Sequence, residues 1–287
     1  MPPLFTKLHG LGNDYIVIEG KQPGSFGDLG EFAKRICERH YGAGADGIAV
    51  LLPTDSPEAD FRVRIFNPDG SEAGLSGNGT RCAAAFLHYT GLWEAPELRL
   101  LTRSGIKRYF LRGKPAPGKY VFDSELGQPL FDSASIPILT REPLAQVVDY
   151  PLVVEGSCIP VTALRIGNPN CCLFVSDFNS LDWRNIGRSL ENHKQFPERT
   201  NVIFINVIDR SRIELRIWER GVGETTASGT CSCAAAVASM LKDYTNRQVT
   251  VLMPGGEVSI QWREDNEIVI HGSAAVVYKG DWLASDL

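Results

Sequence analysis

Two short stretches of this chain carry residue types at spacings that can do chemistry. One is Trp218 to Ala238, which reads WERGVGETTASGTCSCAAAVA. A strand-like run, Ile213–Trp218, enters a glycine-rich turn there. The turn ends at Ser228-Gly229-Thr230, and an alanine-rich segment follows. Small polar residues ahead of an alanine run mark a helix start. The first N–H groups of such a helix lack partners within it, and the helix dipole favours an anion in front of them. The chemistry on offer is the binding of a carboxylate or phosphate beside a hydroxyl.

The second stretch repeats the first. Arg64-Ile65-Phe66 matches Arg216-Ile217-Trp218, Glu72 matches Glu224, and Ser76-Gly77 matches Ser228-Gly229. All six pairs share the offset of 152 residues that separates Ser76 from Ser228. Both copies then enter a Cys-Ala-Ala-Ala segment, Cys82–Ala85 and Cys233–Ala236, after a one-residue slip. A weaker echo joins Gly12-Asn13 before Tyr15–Ile18 to Gly167-Asn168 before Cys172–Val175. A repeat of half the chain predicts two similar domains. Two helix N-termini, each presenting a serine, would then converge on one cleft.

The elements that must position these serines are legible in outline. Leu4–Leu8 and Tyr15–Glu19 read as strands around the turn His9–Asp14, and Asp28–Arg39 reads as an amphipathic helix. Ile48–Leu52 and Phe61–Phe66 are strands, Asn67–Gly70 is a β-turn, and a helix runs from Ser76 to about Tyr89. Leu98–Phe122 reads as two or three strands, with Gly113–Gly118 set aside as a loop by Pro115 and Pro117. Gly127–Arg141, rich in Pro, Ser and Asp, is the expected boundary. The domains are therefore 1–127 with 275–287, and 128–274. The second repeats the scheme, with strands near Leu152–Glu155, Ile159–Ile166, Cys172–Val175 and Val202–Val207, a helix over Ile186–Asn192, and strands over Val249–Met253, Glu257–Trp262 and Ile268–His271.

Composition narrows the function classes. A chain of 287 residues has room for about two domains. Its net charge of −5 and lack of a basic run argue against nucleic acid as the main partner. A small anionic substrate stays open, because local fields outweigh the total. The first residues lack a signal-peptide pattern and no apolar run is long enough to span a bilayer, so the expectation is a cytoplasmic protein with no membrane partner. The seven cysteines are odd in number, which argues against a disulfide framework. Cys171-Cys172 and Cys231-Ser-Cys233 lack the spacing of a zinc site, so buried free thiols and no metal are expected.

His9–Asp14, Phe66–Glu72, Gly77–Cys82, Gly167-Asn-Pro169, Phe196–Arg199, Asn201, Glu219–Thr225 and Pro254–Gly256 together resemble the motifs of diaminopimelate epimerases, in order and across nearly the whole chain. The resemblance implies an α/β (α+β) fold of two pseudo-symmetric domains, each a mixed β-sheet wrapped around a central helix. It implies a cofactor-independent isomerase, usually a homodimer, that closes on a diaminopimelate-like amino acid. By position, Gly77, Asn78, Gly229 and Thr230 would hold the substrate's α-carboxylate. Asn67, Asn168, Asn201, Glu219 and Arg220 would hold its distal end, and Asn13 would lie beside the reacting centre. Amides and a guanidinium suit such work, since they read a carboxylate and an amine together.

The departures from the family bear on catalysis. The family removes the α-proton with one thiolate and returns a proton from a second thiol. Those positions are Ser76 and Ser228 here, which makes the two serines the candidate catalytic residues. The family's helper histidine falls at Asn170, and a glutamine falls at Gly47. A serine hydroxyl is almost never ionised near neutrality and needs an adjacent base. Glu72 and Glu224 are the nearest candidates in sequence, and Cys231 lies one helical turn beyond Ser228. Four readings follow: an epimerase with an altered proton-transfer pair, an amino-acid-binding paralogue without turnover, an isomerase with a single carboxylate base like the phenazine-biosynthesis relatives of this fold, or serines engineered to trap a ligand. Asn170 and Gly47 count against the last.

Overall fold

The computed structural model describes residues 4–20 and 27–283. The chain divides into two compact units, Met1–Glu125 with His271–Leu287, and Leu126–Ile270. These divisions fall a few residues ahead of those read from the sequence.

The first unit opens with β1 (Leu4–Gly10) and β2 (Asn13–Glu19), an antiparallel hairpin. Its two-residue turn, Leu11-Gly12, has positive φ at both positions (55° and 82°), the backbone that matches the twist of the flanking strands. Asn13 and Asp14, read as turn residues, therefore begin a strand. Helix α1 (Leu29–Cys37) follows, capped by Asp28, whose side chain accepts from the Glu31 N–H. β3 (Gly47–Leu52) pairs parallel to β2, and β4 (Phe61–Phe66) pairs antiparallel to β3. The short β5 (Glu72–Ala73) folds back on β4 and leads to α2 (Gly77–Thr90). β6 (Glu97–Thr102), β7 (Gly105–Ala116) and β8 (Lys119–Gly127) then form a meander.

The final strand of the chain, β17 (Ile268–Asp281), pairs antiparallel with β1 from His9↔Ala275 to Leu4↔Asp281 and also pairs with β8. Strands β1–β4, β6–β8 and β17 thus line the core around α2, and Ala73 of β5 packs against it. A helix enclosed on all sides must be apolar and slender, which is why Ala83, Ala84 and Ala85 stand at its centre with no exposure. Strand β2 is buried on both faces. Tyr15 and Val17 join the α2 core, while Ile16 and Ile18 join the α1 core.

One expectation needs correction. Pro115 lies inside β7, not in a loop. It sits beyond Phe110, the last β7 residue paired to β6, so the stretch has a single neighbour, β8, and its register shifts there. A proline without an N–H is tolerated at such an edge.

The second unit runs β9 (Val147–Val154), β10 (Ser157–Ile166), β11 (Asn168–Phe174), α3 (Trp183–Glu191), β12 (Asn201–Asp209), β13 (Arg212–Glu219), β14 (Gly223–Thr225), α4 (Gly229–Leu241), β15 (Gln248–Met253) and β16 (Gly256–Trp262). β11 and β12 pair parallel, as do β13 and β15; the remaining neighbours pair antiparallel. Helix α4 is buried from Cys231 to Ser239. On the other side of the sheet, Trp183 and Leu190 of α3 pack with Val202 and Phe204 of β12. Each unit is therefore a mixed sheet around one buried helix, with a second helix outside.

Candidate functional site

In the first unit, Ser76 has extended backbone (φ −131°, ψ 119°) and caps α2; its Oγ accepts from the Gly79 N–H at 3.1 Å. The Tyr15 hydroxyl lies 2.8 Å from the same Oγ. Asn13 and Asn78 meet beside this cap. Asn78 Nδ2 donates to Asn13 Oδ1 at 3.1 Å, and Asn13 Nδ2 donates to Asp46 Oδ2 at 2.8 Å. The Arg81 guanidinium donates to Asn78 Oδ1. This head-to-tail chain from guanidinium to carboxylate fixes which end of each amide is oxygen, and each NH2 keeps a further N–H for another acceptor.

The chain is anchored by ions. Arg39 bonds Asp46 at 2.7 Å and Asp14 at 3.1 Å, and Lys7 bonds Asp14 at 2.8 Å. Burial alone pushes the Asp14 carboxyl up, but the hydrogen bonds from Lys7 and Arg39 outweigh it and hold the group at about 2. Asn67 is in the β4–β5 turn, where its amide donates to Ser71 Oγ at 2.9 Å.

In the second unit, β13 delivers Glu219 and Arg220 to the glycine-rich turn. Ser228 again has extended backbone (φ −147°, ψ 123°) but makes no side-chain cap bond. Its hydroxyl donates to Glu219 Oε2 at 3.1 Å, and Thr225 donates to Glu219 Oε1 at 2.8 Å. Desolvation pushes the Glu219 carboxyl up, and these two hydrogen bonds counter it only in part. Two of the side chains read from the sequence as distal contacts, Asn168 and Asn201, meet Arg220. Its backbone N–H donates to Asn201 Oδ1 at 3.0 Å, and its guanidinium donates to Asn168 Oδ1 at 3.2 Å. Asn201 donates to Asn170 Oδ1 at 3.1 Å, and Asn170 donates to the Asn168 carbonyl at 2.7 Å. Gly229 and Thr230 form the first turn of α4.

The bases nominated by sequence proximity are not available. Glu72 is held in a two-pronged pair by Arg64, both contacts at 2.9 Å, and that pairing keeps its carboxyl below the usual range. Glu224 is held the same way by Arg184, at 2.7 and 2.9 Å. The Cys231 thiol is fully buried, and desolvation pushes it well above its ordinary value, so it is inert as a base.

Tyr15 and Glu191 escaped the sequence reading. Tyr15 sits in an apolar run that reads as core. Glu191 ends α3, where a glutamate reads as solvent-facing, yet it is 6% exposed. It accepts from the Gly221 N–H at 2.7 Å and from Trp218 Nε1 at 2.8 Å, and so holds the turn that carries Glu219 and Arg220.

The first unit thus offers fixed amide donors and helix N–H groups for an anion. The second offers a carboxylate with heightened proton affinity in contact with a hydroxyl. The family model described as diaminopimelate epimerase matches residues 5–114 and 162–277. The chain is 40% identical over 279 residues to the diaminopimelate epimerase of Pelotomaculum thermopropionicum, covering 97% of this chain and 98% of that one. It is 42% identical over 282 residues to that of Moorella thermoacetica, covering 97% and 98%. Among solved structures, a predicted epimerase from Pseudomonas aeruginosa shares the fold with a TM-score of 0.70 at 17% identity, covering 99% of this chain and 100% of that one. A probable proline racemase from Agrobacterium radiobacter does so with a TM-score of 0.69 at 16% identity, covering 99% and 93%. On sequence over nearly its whole length, this chain is a member of the diaminopimelate epimerase family.

Proposed function

We propose that the chain interconverts the LL and meso forms of diaminopimelate without a cofactor, in lysine and peptidoglycan precursor synthesis, and that Glu219 with Ser228 does the work of one thiol. The observation that carries this is the 3.1 Å contact between the Ser228 hydroxyl and the Glu219 carboxylate, whose proton affinity burial has raised. As Ser228 Oγ takes the α-proton, its own proton passes to Glu219 Oε2; no free alkoxide forms. A carboxylate tuned upward accepts that proton near neutrality far better than an exposed one. The helix N-terminus at Gly229-Thr230, next to Ser228, stabilises the negative charge that develops on the substrate carboxylate. Arg220 with Asn168 and Asn201 reads the distal carboxylate and amine. This gives Glu219 a part in proton transfer beyond the distal contact implied by the resemblance. The working form is a cytoplasmic homodimer of two-domain protomers arisen by internal duplication.

A second reading is a diaminopimelate-binding paralogue that performs no turnover. What favours it is that Ser76 Oγ serves as a helix cap, while Asn170 replaces the family's histidine. Incubation with LL-diaminopimelate in heavy water separates the two. Deuterium at the α-carbon, lost in Glu219→Gln, is the expected result. Binding without exchange would leave the paralogue.

A further inference from the structure

We infer that Tyr15 is the positioning residue of the second hydroxyl, orienting Ser76 and supplying the proton that Ser76 hands on. This deepens, and rests on, the isomerase reading above. Three observations carry it. The Tyr15 hydroxyl is 2.8 Å from Ser76 Oγ. Ser76 Oγ already accepts from the Gly79 N–H. When Tyr15 donates into the remaining lone pair, the serine's own proton is left free to leave the cap and reach a ligand. The ring that brings the phenol there is fitted by glycines on two elements. A Cβ at Gly47 would come within 2.8 Å of Tyr15 Cε1, and a Cβ at Gly79 would come equally close. Tyr15 is itself 6% exposed, so its hydroxyl is held in place by packing.

The surrounding charges are committed to other partners. On β2, Asp14 bonds Lys7 of β1 and Arg39; before β3, Asp46 bonds Arg39 and Asn13; on α2, Arg81 bonds Asn78 and the Ser273 carbonyl. The phenol is the proton source given to this serine. Chemically, Ser76 O–H gives its proton to the substrate carbanion, and Tyr15 O–H gives its proton to Ser76 Oγ. The O–H bonds of both groups break, a C–H bond and a new serine O–H bond form, and Tyr15 is left as phenolate, to be reprotonated by water. A phenol ionises near 10, far more readily than an aliphatic hydroxyl, so the relay avoids a bare alkoxide.

The test follows exchange and inversion separately for LL-diaminopimelate in heavy water. In Tyr15→Phe, deuterium incorporation into recovered LL substrate should stay within about threefold of the parent, because Glu219 and Ser228 still act, while meso product falls by roughly tenfold or more. Unchanged meso formation would overturn the inference. So would a parallel loss of exchange and inversion in a variant that still binds the substrate. A parent that exchanges nothing ends the isomerase reading instead, and the inference is then decided without turnover. The thiol introduced by Ser76→Cys should titrate about one unit lower than the same thiol in Tyr15→Phe/Ser76→Cys, read by thiolate ultraviolet absorbance, because a phenol donor favours the anion. Equal titration curves refute it. Should Tyr15→Phe not fold, 3-fluorotyrosine, a stronger donor, placed in Ser76→Cys should move that titration further down; no movement overturns the proposal.

Discussion

Ser76 and Ser228 occupy the same place in their units and do different work. Both end an extended residue ahead of a buried, alanine-rich helix, with φ and ψ that differ by less than about 20°. Ser76 closes its helix, accepting from the third N–H, and leans on a phenol. Ser228 leaves its helix uncapped and gives its proton to a carboxylate. The position three residues on shows how this comes about. In the first unit it is Gly79, which leaves room for the Tyr15 ring; in the second it is Cys231, whose sulfur lies 3.9 Å from Asn170 Oδ1. The flanking arginines differ too. Arg64 grips Glu72, but its counterpart Arg216 turns to Glu214 at 2.9 Å, and Glu224 is taken by Arg184 of α3. The two stretches share a backbone course but not the partners of their serines.

The strongest way to break this comparison is at the carboxylate. Glu219→Gln should lower α-proton exchange by about 100-fold or more, the usual weight of a positioned acid–base group, while Glu72→Gln and Glu224→Gln should change it by no more than about threefold. Isotope incorporation measured across the three variants checks this. If Glu72→Gln is the damaging change, the assignment of roles to the two serines is reversed.

Next in size is the fit of the ring. Gly79→Ala drives a methyl to 2.8 Å from Tyr15 and 3.1 Å from Ile65, and should cost about 1–3 kcal/mol by overpacking, against a helix-propensity gain of about 1 kcal/mol. Gly77→Ala meets nothing within 4 Å and should be neutral or slightly stabilising. Paired urea melts give both values.

The caps follow. Ser76→Ala should destabilise by about 1 kcal/mol through the lost Gly79 bond, whereas Ser228→Ala, made in a Glu219→Ala background so that its carboxylate partner is already gone, should cost a few tenths of that at most, since no cap bond exists to lose. Equal losses would mean that the two serines serve their helices alike.

Smallest is the pH slope. The Glu219 carboxyl binds its proton more tightly folded than unfolded, so it favours the fold when protonated, and that contribution is lost as pH rises through its raised value. Glu219→Gln should therefore be relatively more stable than the parent above that range. Asp14 acts in the opposite sense. Its contribution is full above the unfolded carboxyl range and is lost as pH falls through about 2, which makes it worth about 2 kcal/mol near neutrality. Thermal melts of Glu219→Gln and Asp14→Asn across pH resolve both.

Local pattern made much of this visible in advance. The strand alternation of Phe61–Phe66, the amphipathic helix beginning near Asp28 and the Ser-Gly starts of α2 and α4 all follow from neighbours a few residues away, and so they are readable. The partners of the serines are not. Tyr15 is 61 residues from Ser76, and one alternating strand cannot tell which tyrosine puts its hydroxyl on a helix cap. The resemblance gives Glu219 another task, and nearness in sequence points instead to Glu72 and Glu224. Only the arginines that fold against those two remove them from consideration. Pro115 misled for a related reason: a proline argues against a central strand, but a sequence does not say where a neighbouring strand stops.

The placement of the sulfur atoms has a consequence for how such a protein ages. Of the seven cysteines, Cys37, Cys82, Cys171, Cys172, Cys231 and Cys233 are buried, and Cys158 alone is exposed. At the two places where the family resemblance calls for reactive thiols, there are alcohols. Oxidants and alkylating agents attack thiolates that solvent can reach, so peroxide and iodoacetamide should find Cys158 on β10 and little else. Under the proposed function, a pair of hydroxyls is slower to take a proton, but it cannot be sealed into a disulfide or burnt to a sulfinic acid. The proposed activity would therefore persist in air.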